Sequence, residues 1–487
     1  MTTRSGSSAL TELELRRLAP GTVAILRAAR AAAGPGRDLV VVGGTVRDAL
    51  LRRPTIDVDL AVPHGALALA ERLAARLDAT AVVLDAERGA ARVARPGVQV
   101  DLGDFRAPTL AGDLAARDFT VNALAVPLDT LLAKGRAPIT DPTGGLADLR
   151  ARRLRLAGPR VLRDDPLRAL RAVRLEATLG FRLAPPAARA VRAAAPALAG
   201  VAAERVRDEL VMLLRLPATG RTLRRADALG LLAVILPEIG PMRAAAQPAP
   251  HRFDVLEHSL RAVEACDRLL ARLEALAPFE DELRAHLAEG MGAALDRAGV
   301  LKLAALLHDV AKPETRQVVA GRVRFFEHDL VGAAHARIIA GRLRLPERAA
   351  LVLERLVRHH LRTMHLAQAG EVTPRARYRF YRDLGPDTRD LLLLSLVDAA
   401  AVTGASPLAV WRRAGLVRDL LGGWPEAESA AAAPPLLRGH DVMARYGLPP
   451  GPVVGDLLAR AREAQDLGLV RTREEALAHL DSSGGAP

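Results

Sequence analysis

The stretch Val42–Leu60, VGGTVRDALLRRPTIDVDL, constrains this 487-residue chain more than any other. It predicts a strand, a Gly43-Gly44 turn, a short helix and a second strand that carries Asp57 and Asp59. Side chains two apart on a strand project from one face, so the two carboxylates lie together. Paired carboxylates on a rigid strand suit Mg²⁺, which takes oxygen ligands and substrate phosphates. In a two-metal site the ions, roughly 3.5–4 Å apart, clamp the attacking and leaving oxygens of a displacement at phosphorus. Gly43 and Gly44 let the backbone approach a triphosphate, the helix behind them offers free N–H groups, and Arg47 adds a fixed positive fork.

A chain of this length exceeds one core and implies two to four domains. The net charge of +13 fits a polyanionic partner. Arginine carries nearly all of it, lysine occurring at Lys134, Lys302 and Lys312 alone, so part of the charge reflects a compositional habit. Cys266 is the single cysteine, which excludes an intramolecular disulfide and points to a reducing, cytoplasmic setting. Met1–Ala9 has no signal-peptide core, and no apolar run is long enough to predict a membrane span. Aromatic residues, at 3%, are too few for a stacking platform to be the main RNA contact.

Strand patterns at Leu39–Val42, Val58–Val62, Ala81–Leu84, Ala91–Ala94 and Val98–Leu102 alternate with helical ones, which predicts a mixed sheet with helices. From Pro142 onward helical periodicity dominates, so the chain as a whole reads as α+β. Breaks predict an N-terminal extension (1–21), a head (22–150), a helical neck (151–245), a histidine-bearing helical domain (246–405) and a helical body and tail (406–487). On the Val98–Asp104 strand, Asp101 is a candidate third carboxylate. At Ala116-Arg-Asp-Phe-Thr-Val-Asn-Ala123, Arg117 and Asp118 are expected to begin a helix with Asn122 one turn on. Asp165, Arg168 and Arg171 follow at three-residue spacing, expected on one helix. A charged stripe of that kind is ordinarily a solvated face, but an Asp beside an Arg also presents a donor–acceptor edge like that of a base.

Joined in this order, Gly-Gly-X-Val-Arg-Asp and Asp-X-Asp resemble the nucleotidyltransferase signature of the polymerase β superfamily, and in the fuller form the tRNA nucleotidyltransferase/poly(A) polymerase family. The resemblance implies a polymerase β-like head and Mg²⁺ at Asp57 and Asp59. It places Gly43, Gly44, Arg47, Arg117, Asp118 and Asn122 at the ribose and triphosphate. Asp165 and Arg168, with Arg171 beside them, would read the Watson–Crick edge of the incoming base, so no nucleic-acid template is required. Ala116 stands where the family has a first arginine, and Asp164 where it has glutamate. Asp141-Pro-Thr-Gly-Gly-Leu-Ala-Asp148 resembles the link from head to neck, and Glu204-Arg-Val-Arg-Asp-Glu209 a structural brace of the neck.

The ordered residues His258, His308-Asp309, His328, His359-His360 and Asp398 resemble an HD-domain phosphohydrolase set. Imidazoles with carboxylates suit a transition metal of the Ni/Mn/Co type that generates hydroxide at neutral pH; His258, His308, Asp309, His328, His360 and Asp398 are the expected ligands. Leu436–Met443 and Gly447–Pro452 resemble the tail of bacterial tRNA nucleotidyltransferases. The expected function is addition of C and/or A, from CTP and/or ATP, to the 3′ end of tRNA. A poly(A) polymerase, an HD hydrolase with an RNA-binding head, and a non-catalytic RNA-binding protein are the alternatives. Family members that build all of CCA usually carry a flexible charged loop before Arg-Asp-Phe-Thr; the short Arg106–Ala116 segment leaves little room for one.

Overall fold

The computed structural model describes residues 11–54 and 57–482. They fall into two compact units: one runs to Val201 and includes Ala228–Val234, the other comprises Ala202–Asp227 and the residues from Ile235 on. Residues 1–10 of the expected N-terminal extension lie outside the described residues.

The first unit is built on a six-stranded mixed sheet. Its early elements in chain order are β1 (Glu12–Glu14), α1 (Pro20–Ala33), β2 (Val40–Val42), α2 (Gly43–Leu50), β3 (Asp57–Val62), α3 (Ala66–Leu77) and β4 (Thr80–Asp85). β5 (Ala90–Arg95), β6 (Val98–Asp104), α4 (Leu110–Ala115), β7 (Ala125–Pro127) and β8 (Arg136–Pro138) follow. The strand order is β4-β5-β6-β3-β2-β7, with β3 and β6 parallel and every other neighbouring pair antiparallel. Every strand expected in the head is present, each within a residue or two of its predicted bounds. β1, inside the expected extension, pairs with β8 and ties that segment to the head.

Burial explains the order. β2 is three consecutive valines buried on both sides, as a central strand requires. α3 turns Leu69, Ala70, Leu73 and Ala74 inward at helical spacing. A cluster of Val40, Val42, Ala61, Leu114, Ala123 and Ala125 seats α4 and the segment before β7.

Two local expectations fail. Arg117 and Asp118 do not begin an α-helix: both lie in bends, Phe119 is extended and a single 3₁₀ turn spans Thr120–Asn122. The Asp118 carboxylate accepts the Phe119 N–H at 2.8 Å, a local bond that competes with helix formation. Asp165 is not on the helix that carries Arg168. It is extended (φ −152°) between the helices Val161–Asp164 and Arg168–Leu179, because the residue before Pro166 is disfavoured in the α region.

The second unit is largely helical, as expected, but not wholly. Arg316–Val319 and Arg322–Phe325 form an antiparallel hairpin turned by Ala320 and Gly321, both at positive φ, and Gly290–Gly292 pairs with Leu295–Asp296. Helices Val255–Leu270, Arg297–Leu307, Glu347–His359 and Thr388–Thr403 surround a core rich in leucine and alanine.

Candidate active site and a second metal centre

Gly43, at φ +65°, makes the turn from β2 into α2. A Cβ there would stand 2.7 Å from Asp59 Oδ2, so only glycine allows the approach. The next residue exploits it: Gly44 N–H donates to Asp59 Oδ2 at 2.7 Å. Thr45 fastens the same corner, its hydroxyl donating to the Asp57 carbonyl at 3.2 Å and accepting the Asp59 N–H at 2.7 Å. The Gly-Gly turn therefore fixes the carboxylate strand.

Parallel pairing sets Asp59 opposite Asp101 on β6. Arg92 of β5 grips Asp101 in a two-pronged contact of 2.7 and 2.9 Å. Burial and then the nearby Asp101 charge push the Asp57 and Asp59 carboxyls up. For Asp59 the Gly44 N–H, Arg117 and Arg47 oppose that rise. Asp57 and Asp59, with raised affinity for a proton, and the nearby Asp101 set carboxylate oxygens on adjacent strands, the donor chemistry that a divalent cation takes.

Four of the other expected residues join in one relay, and Arg117, Arg168 and Asp165 stand outside it. Arg47 binds Asp48 at 2.7 and 2.9 Å and donates to Asn122 Oδ1 at 2.5 Å. Asn122 donates to Asp118 at 3.0 Å, and Arg171 approaches the other Asp118 oxygen at 3.4 Å. Burial works against ionised Asp118, but Arg171, the Asn122 amide and the Phe119 N–H prevail and draw its pKa down to about 2. Arg117 is held by buried Asp113 at 2.8 and 3.0 Å. Arg168 donates to the Ala116 and Val161 carbonyls, both at 3.2 Å, and stands 3.9 Å from Asp165.

The second unit gathers all six expected metal ligands. His258, His308 and Asp398 form one group, Asp309, His328 and His360 another. Asp309 joins them: its Oδ2 lies 3.3 Å from His308 Nε2 and 3.6 Å from His258 Nε2, while its Oδ1 lies 3.4 and 3.5 Å from His328 and His360. His308, His328 and His360 each place Nδ1 2.7–3.0 Å from a backbone carbonyl, of Ala305, Phe325 and Val357. A ring that donates from Nδ1 leaves Nε2 as a bare lone pair, and the Nε2 atoms of His328 and His360 face each other at 3.3 Å. Two lone pairs at that separation call for a cation, so the two donor groups, which meet at Asp309, fit transition-metal chemistry. His359 belongs to neither group.

The chain is 41% identical over 453 residues to the A-adding tRNA nucleotidyltransferase of Deinococcus radiodurans, covering 92% of this chain and 95% of that one. It belongs to the tRNA nucleotidyltransferase family. CC-adding relatives from Thermus thermophilus (36% over 458 residues, 91% and 93% covered) and Geobacter sulfurreducens (32% over 441 residues, 90% of each) align over similar lengths. Within the chain, the Poly A polymerase head domain matches residues 39–155, the probable RNA and SrmB-binding site of polymerase A matches 180–242, and the HD domain matches 255–402. A solved CCA-adding enzyme in complex with ATP shares the fold at a TM-score of 0.62 and 19% identity, over 97% of this chain and 99% of that one.

Three groups in these two sites escape sequence reasoning. Arg92 is an unremarkable arginine in an alternating strand until cross-strand register sets it opposite Asp101. Asp113 lies in the short segment before Arg117, and only its complete burial marks it as a clamp. Arg297, buried, donates to Asp387 and Asp390 at 2.8 Å each, and Asp390 also meets His286 at 2.7 Å. That brace secures the helix Thr388–Thr403 on which Asp398 sits. Its partners are about a hundred residues apart, so no local pattern announces them.

Proposed function

We propose that the first unit adds nucleotides, without a nucleic-acid template, to the 3′ end of tRNA, and that this enzyme completes only one stage of the CCA end. The observation that carries the chemistry is the junction of Gly44 N–H, Asp59, Asp57 and Asp101 at the mouth of α2. Mg²⁺ ions held by Asp57 and Asp59 would supply activation of the 3′-hydroxyl and neutralisation of the departing pyrophosphate. The chain's own residues do the positioning. Thr45 and Gly44 hold Asp59 in place, and Gly43 keeps the turn open for the phosphates. The Arg47–Asn122–Asp118–Arg171 relay orients ribose and triphosphate. Asp165 and Arg168 offer an acceptor and a donor to the base edge, a form of selection that rejects a mismatched hydrogen-bonding pattern strongly. Residues 22–150 thus act as catalytic head and 151–245 as base-reading neck, while the arginine-rich 406–487 segment takes up tRNA.

Single-stage addition is supported by the Arg106–Ala116 segment. Thr109 caps α4, and Asp113 bonds back to both Arg106 N–H and Arg117, so this stretch is braced rather than a free lever. The higher whole-length identity to the A-adding relative favours the A stage. Incubation with tRNAs ending at the discriminator base, at C and at CC, each with ATP or CTP, tests this. One AMP added to the CC-ending tRNA alone is the expected product. Complete CCA on a tRNA ending at the discriminator base would contradict single-stage addition, and long A tails would favour the poly(A) reading.

A second activity is favoured by the two imidazole–carboxylate groups that share Asp309. We propose that His258, His308, Asp309, His328, His360 and Asp398 would hold transition metal in the HD site, which would supply hydroxide for hydrolysis of phosphate esters.

A further inference from the structure

Arg106 lies at the end of β6, outside every motif in the sequence, yet the fold inserts it into the nucleotide site. Its backbone N–H donates to Asp113 Oδ1 at 3.1 Å, while its exposed guanidinium reaches the Ala116 carbonyl at 3.4 Å. Arg168 donates to the same carbonyl oxygen at 3.2 Å. Two guanidiniums thus converge on one backbone oxygen, with a third, Arg117, beside them.

The nearby carboxylates are already engaged. Asp113 gives its second oxygen to Arg117, and Asp118 is taken by Phe119 N–H, Asn122 and Arg171. Among the described residues no carboxylate comes within ion-pair reach of Arg106. Loss of solvation, then the charges of Arg117 and Arg168, draw its pKa down to about 10, so it stays cationic at neutral pH. The side chain retains solvent-accessible surface all the same. Such crowding of like charge is unfavourable unless an anion completes the set, and phosphate is the anion that arginine forks match best.

We propose that Arg106 is a further nucleotide-binding residue, contacting the polyphosphate of the incoming nucleoside triphosphate and supplying at position 116 the positive charge that Ala116 lacks. The assignment rests on the nucleotide-adding reading above. Ala116 runs through Arg117 into Asp118, whose bonds to Asn122 and on to Arg47 lead back to the Gly43-Gly44 turn, which sets the cluster beside the residues proposed to hold the triphosphate.

The test is equilibrium titration of the full-length protein with ATP and CTP in the presence of Mg²⁺, alongside steady-state KM values for nucleotide and for tRNA. Arg106→Gln is expected to raise the nucleotide Kd and KM by about tenfold or more, the loss of one charge-assisted bond, with the tRNA KM and the melting midpoint unchanged. Adding Ala116→Arg to that variant returns a guanidinium from the neighbouring segment and should recover most of the lost affinity. Arg106→Lys, which keeps the charge without the fork, should fall between. Unchanged nucleotide binding in Arg106→Gln would overturn the proposal. A rise confined to the tRNA KM would also overturn it, giving the guanidinium to an RNA phosphate, and failure of Ala116→Arg to rescue would refute the substitution of one arginine for the other. Direct ATP titration still decides the matter if wild-type protein adds no nucleotide, so the two readings fail separately.

Discussion

Gly43→Ala should disable nucleotide addition while leaving most of the fold intact. Two separable penalties arise at this position. A non-glycine residue at φ +65° incurs roughly 1 kcal/mol of left-handed backbone strain. The new methyl would also stand 2.7 Å from Asp59 Oδ2, where ordinary contact begins at 3.4 Å, so the carboxylate must retreat by about 0.7 Å. That retreat breaks the 2.7 Å bond from Gly44 N–H and moves the carboxylate proposed to hold Mg²⁺. Displacements near 1 Å at a reacting centre cost about 100-fold in rate. Gly97→Ala is the matched control: Gly97 has φ +76° with nothing within 4 Å, so it carries the strain without the clash. Both variants should lose about 1 kcal/mol, a few degrees in melting midpoint. Only Gly43→Ala should lose kcat for incorporation of labelled nucleotide into tRNA, by about two orders of magnitude. Gly43→Ala activity within threefold of Gly97→Ala would refute the reasoning that the turn positions Asp59.

Two further outcomes follow from the buried charges. Because the Asp118 pKa is depressed to about 2, its contribution to stability is full above the unfolded value near 4 and fades as pH falls toward 2. The stability difference between wild type and Asp118→Asn, measured by urea unfolding, should therefore shrink by about 2 kcal/mol between pH 5 and pH 2, and a difference that stays constant with pH would contradict the assignment. In the HD site, His308→Ala should lower bound transition metal and remove phosphate-ester hydrolysis without slowing nucleotide addition, since the two sites draw on different ligands; loss of hydrolysis in Asp57→Asn instead would assign it to the head.

The legible parts of this molecule are those with a local cause. Valine runs announce β2, and Gly43-Gly44 followed by Asp57 and Asp59 announces the turn and the carboxylate strand. The ordered histidines and aspartates announce a constellation that the fold gathers into two candidate donor groups. What escaped was decided by neighbours distant in sequence or by one competing local bond. Asp165 reads as helical from its spacing, but Pro166 overrules it. Arg117 and Asp118 read as the start of a helix until the Asp118 carboxylate captures the Phe119 N–H. The hairpin at Arg316–Phe325 is short and mostly exposed, so it lacks the alternating burial that marks strands in the head. Arg92 and Arg106 look like two more arginines in an arginine-rich chain, and only register and packing set one on Asp101 and the other beside Ala116.

The central claim is that the carboxylates of β3 carry out nucleotide addition. Its most direct measurement is the rate of nucleotide incorporation by Asp59→Asn on a tRNA ending in CC, with tRNA affinity and the melting midpoint measured on the same sample. Neutralising Asp59 keeps its shape and removes its charge at the reacting phosphate, so incorporation should fall by at least three orders of magnitude while tRNA affinity and melting stay at wild-type values. Incorporation at the wild-type rate would contradict the account.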